Sequence, residues 1–209
     1  MARFDPSMLK VEDCQDADTL NALLSLLLEP TPELRSHLVP SVLLRLTARE
    51  NPPSTFGEIV SLCQEVVSEW EWKDKGAFIN GHPMIGEVKG GLSGQEQGGG
   101  PATRPVVLKR LAHLNELYCT LYPGLRYITF VNGRPRTAIV PEMEENMGLT
   151  VSPEPLPDDS AVDRPAVDSP EIQERVRDPD SPEWRNECSR AMTDVFLIAR
   201  ARLKSLNLE

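Results

Sequence analysis

Leu20, Leu23, Leu24, Leu27 and Leu28 recur at spacings of three and four residues, and Pro30 closes the run. That spacing gathers them on one face of a helix, where a strand would scatter them to both sides of a sheet. The stripe must be covered by other elements, so the chain is committed to packing helix on helix. Asp18 or Thr19 can cap this first helix.

The same grammar continues through the first half. Thr31-Pro32-Glu33 supplies a second start, with proline at the first helical position. Val42, Leu43 and Leu46 carry a third piece after Pro40, and Thr55-Phe56-Gly57-Glu58 has the form of a capping box ahead of Ile59, Leu62, Cys63, Val66 and Val67. Between Lys73 and Pro105 the pattern changes, with seven of the thirteen glycines lying from Gly86 to Gly100, and we read this stretch as a loop region. Helical periodicity returns with Leu108, Leu111, Leu114, Asn115 and Tyr118 and ends at Pro123-Gly124. Leu125 to Val131 is a short β-branched and aromatic run before the Asn132-Gly133 turn, either a lone strand or an extended segment.

From Val151 to Glu183 proline, aspartate and serine dominate, and such a composition buries too little apolar surface to offset its ordering entropy. Residues 151–183 are therefore expected to be an acidic, Pro-rich, mobile insertion. Trp184 to Leu206 reads as a long amphipathic helix with Met192, Val195, Phe196, Ala199, Leu203 and Leu206 on one side. The expected architecture is all-α: a single-domain, multi-helix bundle formed by residues 1–150 and 184–209, with a Gly-rich active-site loop and one short extended segment.

Charge and cysteine usage narrow the function classes. A formal net charge of −10 over 209 residues disfavours a nucleic-acid backbone as partner. Cys14, Cys63, Cys119 and Cys188 are scattered with no C-x-x-C pair, no sequon is present, and no apolar run approaches membrane-spanning length. A reduced, cytoplasmic protein without membrane association is expected. A peroxisomal address is not indicated, because the last residues differ from the Ser-Lys-Leu type. No H-e-x-x-H, Cys/His cluster or repeated Asp-x-Asp spacing points to a metal, and none is expected.

The candidates for chemistry are few. His37 and His113 lie among helix-compatible residues, whereas His82 stands before Pro83, which biases it away from helical geometry and can hold an imidazole on a loop in one orientation. A turn histidine in solvent is an equal reading. Ser93-Gly94-Gln95-Glu96-Gln97 gathers polar side chains in the glycine-rich stretch, although a capping box from Ser93 to Glu96 explains the same spacing. The stretch lacks the last glycine of a nucleophile elbow and the Gly-Lys-Ser/Thr of a phosphate loop. Arg202 emerges beside the apolar stripe of the last helix, where a guanidinium wants a partner, either substrate or an acidic neighbour. Arg190, Arg200 and Lys204 read as surface residues.

Taken in order, His82-Pro83, Ser93-x-x-Glu96-Gln97, Leu111-x-x-Leu114-Asn115-x-x-Tyr118, the stretch Tyr127 to Gly133, and Ile198-Ala199-x-x-Arg202-Leu203 resemble the 2-oxo-4-hydroxy-4-carboxy-5-ureidoimidazoline (OHCU) decarboxylase family. The resemblance implies an all-helical, commonly dimeric and cofactor-free enzyme that decarboxylates this ureidoimidazoline to (S)-allantoin and CO2 in urate degradation. It implies His82 as the catalytic histidine, with Glu96 acting beside it and fixing the substrate's orientation. Pro83, Ser93, Gln97, Arg202 and backbone groups near Ile128 and Phe130 would contact substrate. Tyr122-Pro123-Gly124 stands where the family has Phe-Gly, one residue longer, which leaves the register of Ile128 and Phe130 open. Two other functions fit the same sequence: a non-catalytic helical scaffold or adaptor that binds through the acidic insertion, and a cofactor-free enzyme acting on another ureido heterocycle.

The residue types suit a decarboxylation. Electron density left on the ring by departing CO2 must be stabilised and then protonated, and Glu96, Gln97 and Arg202 offer polar and cationic partners while His82 offers a mobile proton.

Overall fold

A computed structural model describes residues 5–87, 92 and 103–208. The described residues form eight α-helices, α1 (Ala17–Leu28), α2 (Val39–Ala48), α3 (Phe56–Ser68), α4 (Trp72–Ile79), α5 (Pro105–Leu121), α6 (Arg136–Asn146), α7 (Pro170–Gln173) and α8 (Pro182–Ser205), and no strand. The all-α class follows from the helical spacing of the apolar residues. The chain divides into two compact units, Met1–His82 with Met192–Glu209, and Pro83–Ala191.

In the first unit, the five leucines of α1 are completely buried, and burial of each stabilises the fold by roughly 1.5–3 kcal/mol. The cap of α1 lies slightly earlier than expected: Asp16, not Asp18 or Thr19, accepts from the Thr19 backbone N–H at 2.9 Å. The capping box of α3 forms as its sequence implies, with Glu58 N–H donating to Thr55 Oγ1 and Thr55 N–H donating to Glu58 Oε2, each at 3.2 Å. Before α2 the backbone widens to a π-helical turn, Leu34–Leu38, in which Val39 N–H reaches Leu34 O. Pro40 explains it, because proline has no N–H to donate and its ring crowds the carbonyl four residues back. The loop expected from Lys73 onward begins later, since Trp72–Ile79 is α4. Its buried Phe78 and Ile79 supply a short apolar face that the expectation overlooked.

In the second unit, α5 packs on α6 and α7. Leu125 to Val131 is extended but unpaired with any strand among the described residues, and Asn132 and Gly133 turn the chain with φ of 48° and 73°. Gly133 suits that left-handed geometry, which side chains disfavour. The α6 helix was not legible beforehand, because Pro141 interrupts its hydrogen-bond ladder and its apolar residues lack a clear period.

The 151–183 segment carries little regular structure, as its composition implies, yet it is fastened where a loose appendage was expected. Leu156 and Ile172 are buried. Arg110 on α5 donates to the carbonyls of Val162 and Arg164, His113 Nε2 lies 2.7 Å from the Pro165 carbonyl, and Arg177 N–H donates to Leu121 O at 2.8 Å. The anchors sit on α5, so composition within the segment could not reveal them.

The α8 helix contributes Trp184, Cys188 and Ala191 to the core of the second unit, and Val195, Phe196, Ala199 and Leu203 to that of the first. No helix among the described residues is long and apolar enough to cross a membrane.

Candidate active site

His82 follows the last turn of α4, its backbone N–H donating to Ile79 O at 3.0 Å. The chain can arrive there only because residue 81 is glycine. A Cβ on Gly81 would lie 1.9 Å from Cγ2 of Thr31, and the Thr31 side chain is itself engaged, its Oγ1 accepting from Leu34 N–H at 2.9 Å. His82 is thus not a turn histidine in solvent. It is 3% exposed with both ring nitrogens buried, and Phe78 meets its ring edge to face at 6.3 Å.

Arg202, 1% exposed, belongs to the same unit. Its Nη1 donates to the carbonyls of Leu26 and Leu27 at 3.1 and 3.2 Å, and its Nη2 lies 2.8 Å from Glu29 Oε1. The guanidinium therefore satisfies carbonyls at the end of α1, which have no partner within their own helix, and adds favourable positive charge at the negative end of that helix. The acidic neighbour anticipated for Arg202 is Glu29, a residue that nothing in its local sequence singled out.

These groups set the ionisation of His82. Burial pushes its pKa down to about 4, the Glu29 carboxylate opposes that shift and the Arg202 cation reinforces it. At neutral pH the imidazole is therefore neutral. A neutral imidazole can accept a proton at one nitrogen and release one from the other, the behaviour of a relay.

Pro83, Ile128 and Phe130 belong to the second unit. Pro83 and Ile128 are buried and Phe130 is partly exposed. The Ile128 carbonyl accepts from Arg190 Nη1 and that of Phe130 from Arg134 Nη2, each at 2.9 Å. Arg190 is not the bland surface residue expected. It grips Glu187 through Nε and Nη2, and its guanidinium lies 4.9 Å from the centre of the Tyr127 ring. Tyr118 donates to the same Glu187 at 2.6 Å, and Tyr127 donates to Glu142 at 2.8 Å. The Leu-Asn-x-x-Tyr motif is thereby explained as scaffolding: Tyr118 enters this network, and Asn115 Nδ2 donates to the Ile85 carbonyl at 2.9 Å. Together they hold the chain after Pro83 and the extended segment.

Ser93, Glu96 and Gln97 lie outside the described residues. Among the described residues no group of three or more His, Cys, Asp or Glu side chains could hold a metal ion.

The fold and site define an all-α protein with a buried imidazole close to a carboxylate–guanidinium pair. The pattern of the OHCU decarboxylase family matches residues 14–155, and the chain belongs to that family. The matched stretch contains Glu29, His82, Ser93, Glu96, Gln97, Ile128 and Phe130, while Arg202 lies beyond it. No curated protein and no solved structure matches the chain.

Proposed function

We propose that this protein is a carboxy-lyase that converts 2-oxo-4-hydroxy-4-carboxy-5-ureidoimidazoline to (S)-allantoin and CO2, with His82 as the proton relay. The observation that carries the reading is the burial of His82 beside the charges of Glu29 and Arg202 in a member of this family. In the reaction the bond between the ring carbon and its carboxylate breaks, CO2 departs, the bonding pair forms a carbon–carbon double bond to the carbon bearing the ureido group, and the π pair of the ring's carbon–nitrogen double bond moves onto nitrogen, which takes a proton from water. The carbon bearing the ureido group then gains a proton, while the neighbouring hydroxyl gives one up and becomes a carbonyl.

A neutral His82 suits this traffic, accepting the hydroxyl proton and returning one to carbon from a single face, which yields one enantiomer. Glu96 acts beside it and fixes the substrate's orientation. Gln97, Ser93, Pro83, Arg202 and the backbone at Ile128 and Phe130 complete the proposed contacts. The Ile128 and Phe130 carbonyls accept from Arg190 and Arg134, and their N–H groups are the backbone groups proposed to donate to an anionic ring, as in other sites that stabilise developing charge. The reaction is proposed to need no metal or organic cofactor, the enzyme to work in the cytoplasm, and a homodimer to be its assembly.

The test couples urate oxidation and hydroxyisourate hydrolysis to the purified protein and follows optical rotation. Spontaneous decay gives racemic allantoin, so a single hand is expected from catalysis. A racemic product formed at the uncatalysed rate would refute the reading.

A further inference from the structure

We propose that Glu29 is a positioning residue of this site, its carboxylate fixing the Arg202 guanidinium from the Glu29-Pro30-Thr31 segment against which the His82 loop is seated. The proposal rests on the reading of His82 as the relay. Three independent observations meet at this segment. Glu29 holds Arg202 through the 2.8 Å contact between Oε1 and Nη2. Thr31, two residues on, packs so closely under Gly81 that no side chain fits between them, which sets the approach of His82.

The third is the backbone of Glu29 itself, which has φ of 65° and ψ of 145°. The ψ angle suits a residue before proline, but the φ angle lies where only glycine is comfortable. A sequence shaped by folding alone would favour glycine here. Glutamate at a strained position indicates that its side chain does something a glycine could not.

The ion pair also bears on His82 electrostatically. Among the described residues the charged groups acting on the imidazole are Glu29, from the end of α1, and Arg202, from α8, and they act in opposite senses. With Glu29 ionised, the pair presents His82 with little net charge, and the ring stays available to both take and give a proton. Without the carboxylate, the buried guanidinium acts alone, disfavouring a protonated imidazole and losing the contact that orients it.

The experiment compares Glu29→Gln, Glu29→Asp and Glu29→Gly in the full-length protein, each checked for folding by circular dichroism. Two readouts are used: steady-state formation of (S)-allantoin and the NMR titration of the His82 ring. Glu29→Gln is expected to lower kcat about 10- to 100-fold, the range for a misplaced catalytic constellation, and to move the His82 midpoint to lower pH. Glu29→Asp keeps the charge and should recover much of both properties, and Glu29→Gly should fold while losing both. Should Glu29→Gln fold poorly, the Asp and Gly variants decide the matter by the same two readouts. Unchanged kcat and an unchanged His82 midpoint in the folded neutral variants would overturn the proposal, as would equal impairment of Asp and Gln. If instead His82→Asn proves as active as wild type, the relay reading fails. The His82 titration in the Glu29 variants then still decides whether Glu29 governs this cluster.

Discussion

Arg202 Nη2 and Glu29 Oε1 meet at 2.8 Å across 173 residues of chain, and the same guanidinium closes two backbone carbonyls at the end of α1. Removing one partner of a buried ion pair leaves the other charge without compensation, a change that typically costs about 3–5 kcal/mol. Arg202→Ala should therefore lose stability on that scale in urea denaturation. Arg202→Lys, which keeps the charge but not the planar fork, should lose less. An Arg202→Ala protein of unchanged stability would mean that these contacts carry no net energy, and that the residue's value lies wholly with substrate.

His82→Asn should lower turnover by roughly two to four orders of magnitude, the usual contribution of a positioned acid–base group. The measurement is the rate of (S)-allantoin formation from freshly generated substrate, with folding checked in parallel. Near wild-type conversion would remove His82 from the reaction.

The depressed pKa of His82 also makes a prediction about stability. The folded-state value of about 4 lies below the ordinary 6.5, so the unfolded chain binds the extra proton first as pH falls. Above pH 6.5 both states hold a neutral ring and the fold loses nothing. Between pH 6.5 and 4 stability declines, and at pH 4.5 the loss from this group is roughly 2–3 kcal/mol. His82→Leu should flatten that part of the curve when urea denaturation is measured across the range. A wild-type curve of the same slope as the variant would contradict the buried, neutral imidazole.

Gly81→Ala places a methyl 1.9 Å from Thr31 Cγ2, and such overpacking typically costs about 1–3 kcal/mol. The second substitution Thr31→Ser removes the clashing methyl while keeping the hydroxyl that caps Leu34 N–H. The double variant should regain most of the stability and activity lost by Gly81→Ala. Absence of any recovery would show that the contact is not what limits residue 81.

Glu144 is fully buried and receives Arg110 together with the N–H and hydroxyl of Ser152. Glu144→Leu leaves the Arg110 charge without its carboxylate and releases the start of the 151–183 segment. Limited proteolysis should cut within that segment faster in the variant than in wild type, with equal rates arguing against this anchor. The same contacts bear on the adaptor reading, because deleting residues 152–182 would also uncover α5 and so disturb more than a partner-binding appendage.

How much of this was legible beforehand depended on how local the cause was. The α3 capping box involves residues three apart and was readable. The α4 helix was obscured by its neighbouring glycines, and α6 by Pro141. His82 stood out because Pro83 follows it, but its burial depends on Phe78 and on the fit of Gly81 against Thr31. Arg190 looked like a surface cation because its position beside Tyr127 and Ile128 exists only once α8 has packed in the second unit.

The sequence by itself determined the all-α class and the family, since both rest on the kind and order of residues along the chain. It determined the helical spacing of Leu20 to Leu28 and the acceptor at Thr55 for the same reason. Tertiary structure alone decided that Arg202 pairs with Glu29, that His82 is held neutral at physiological pH, and that the 151–183 segment is fastened to α5. Helix propensity and capping act over a few residues, whereas desolvation and ion pairing depend on which distant groups share a low-dielectric interior, and that is set only when the chain has folded.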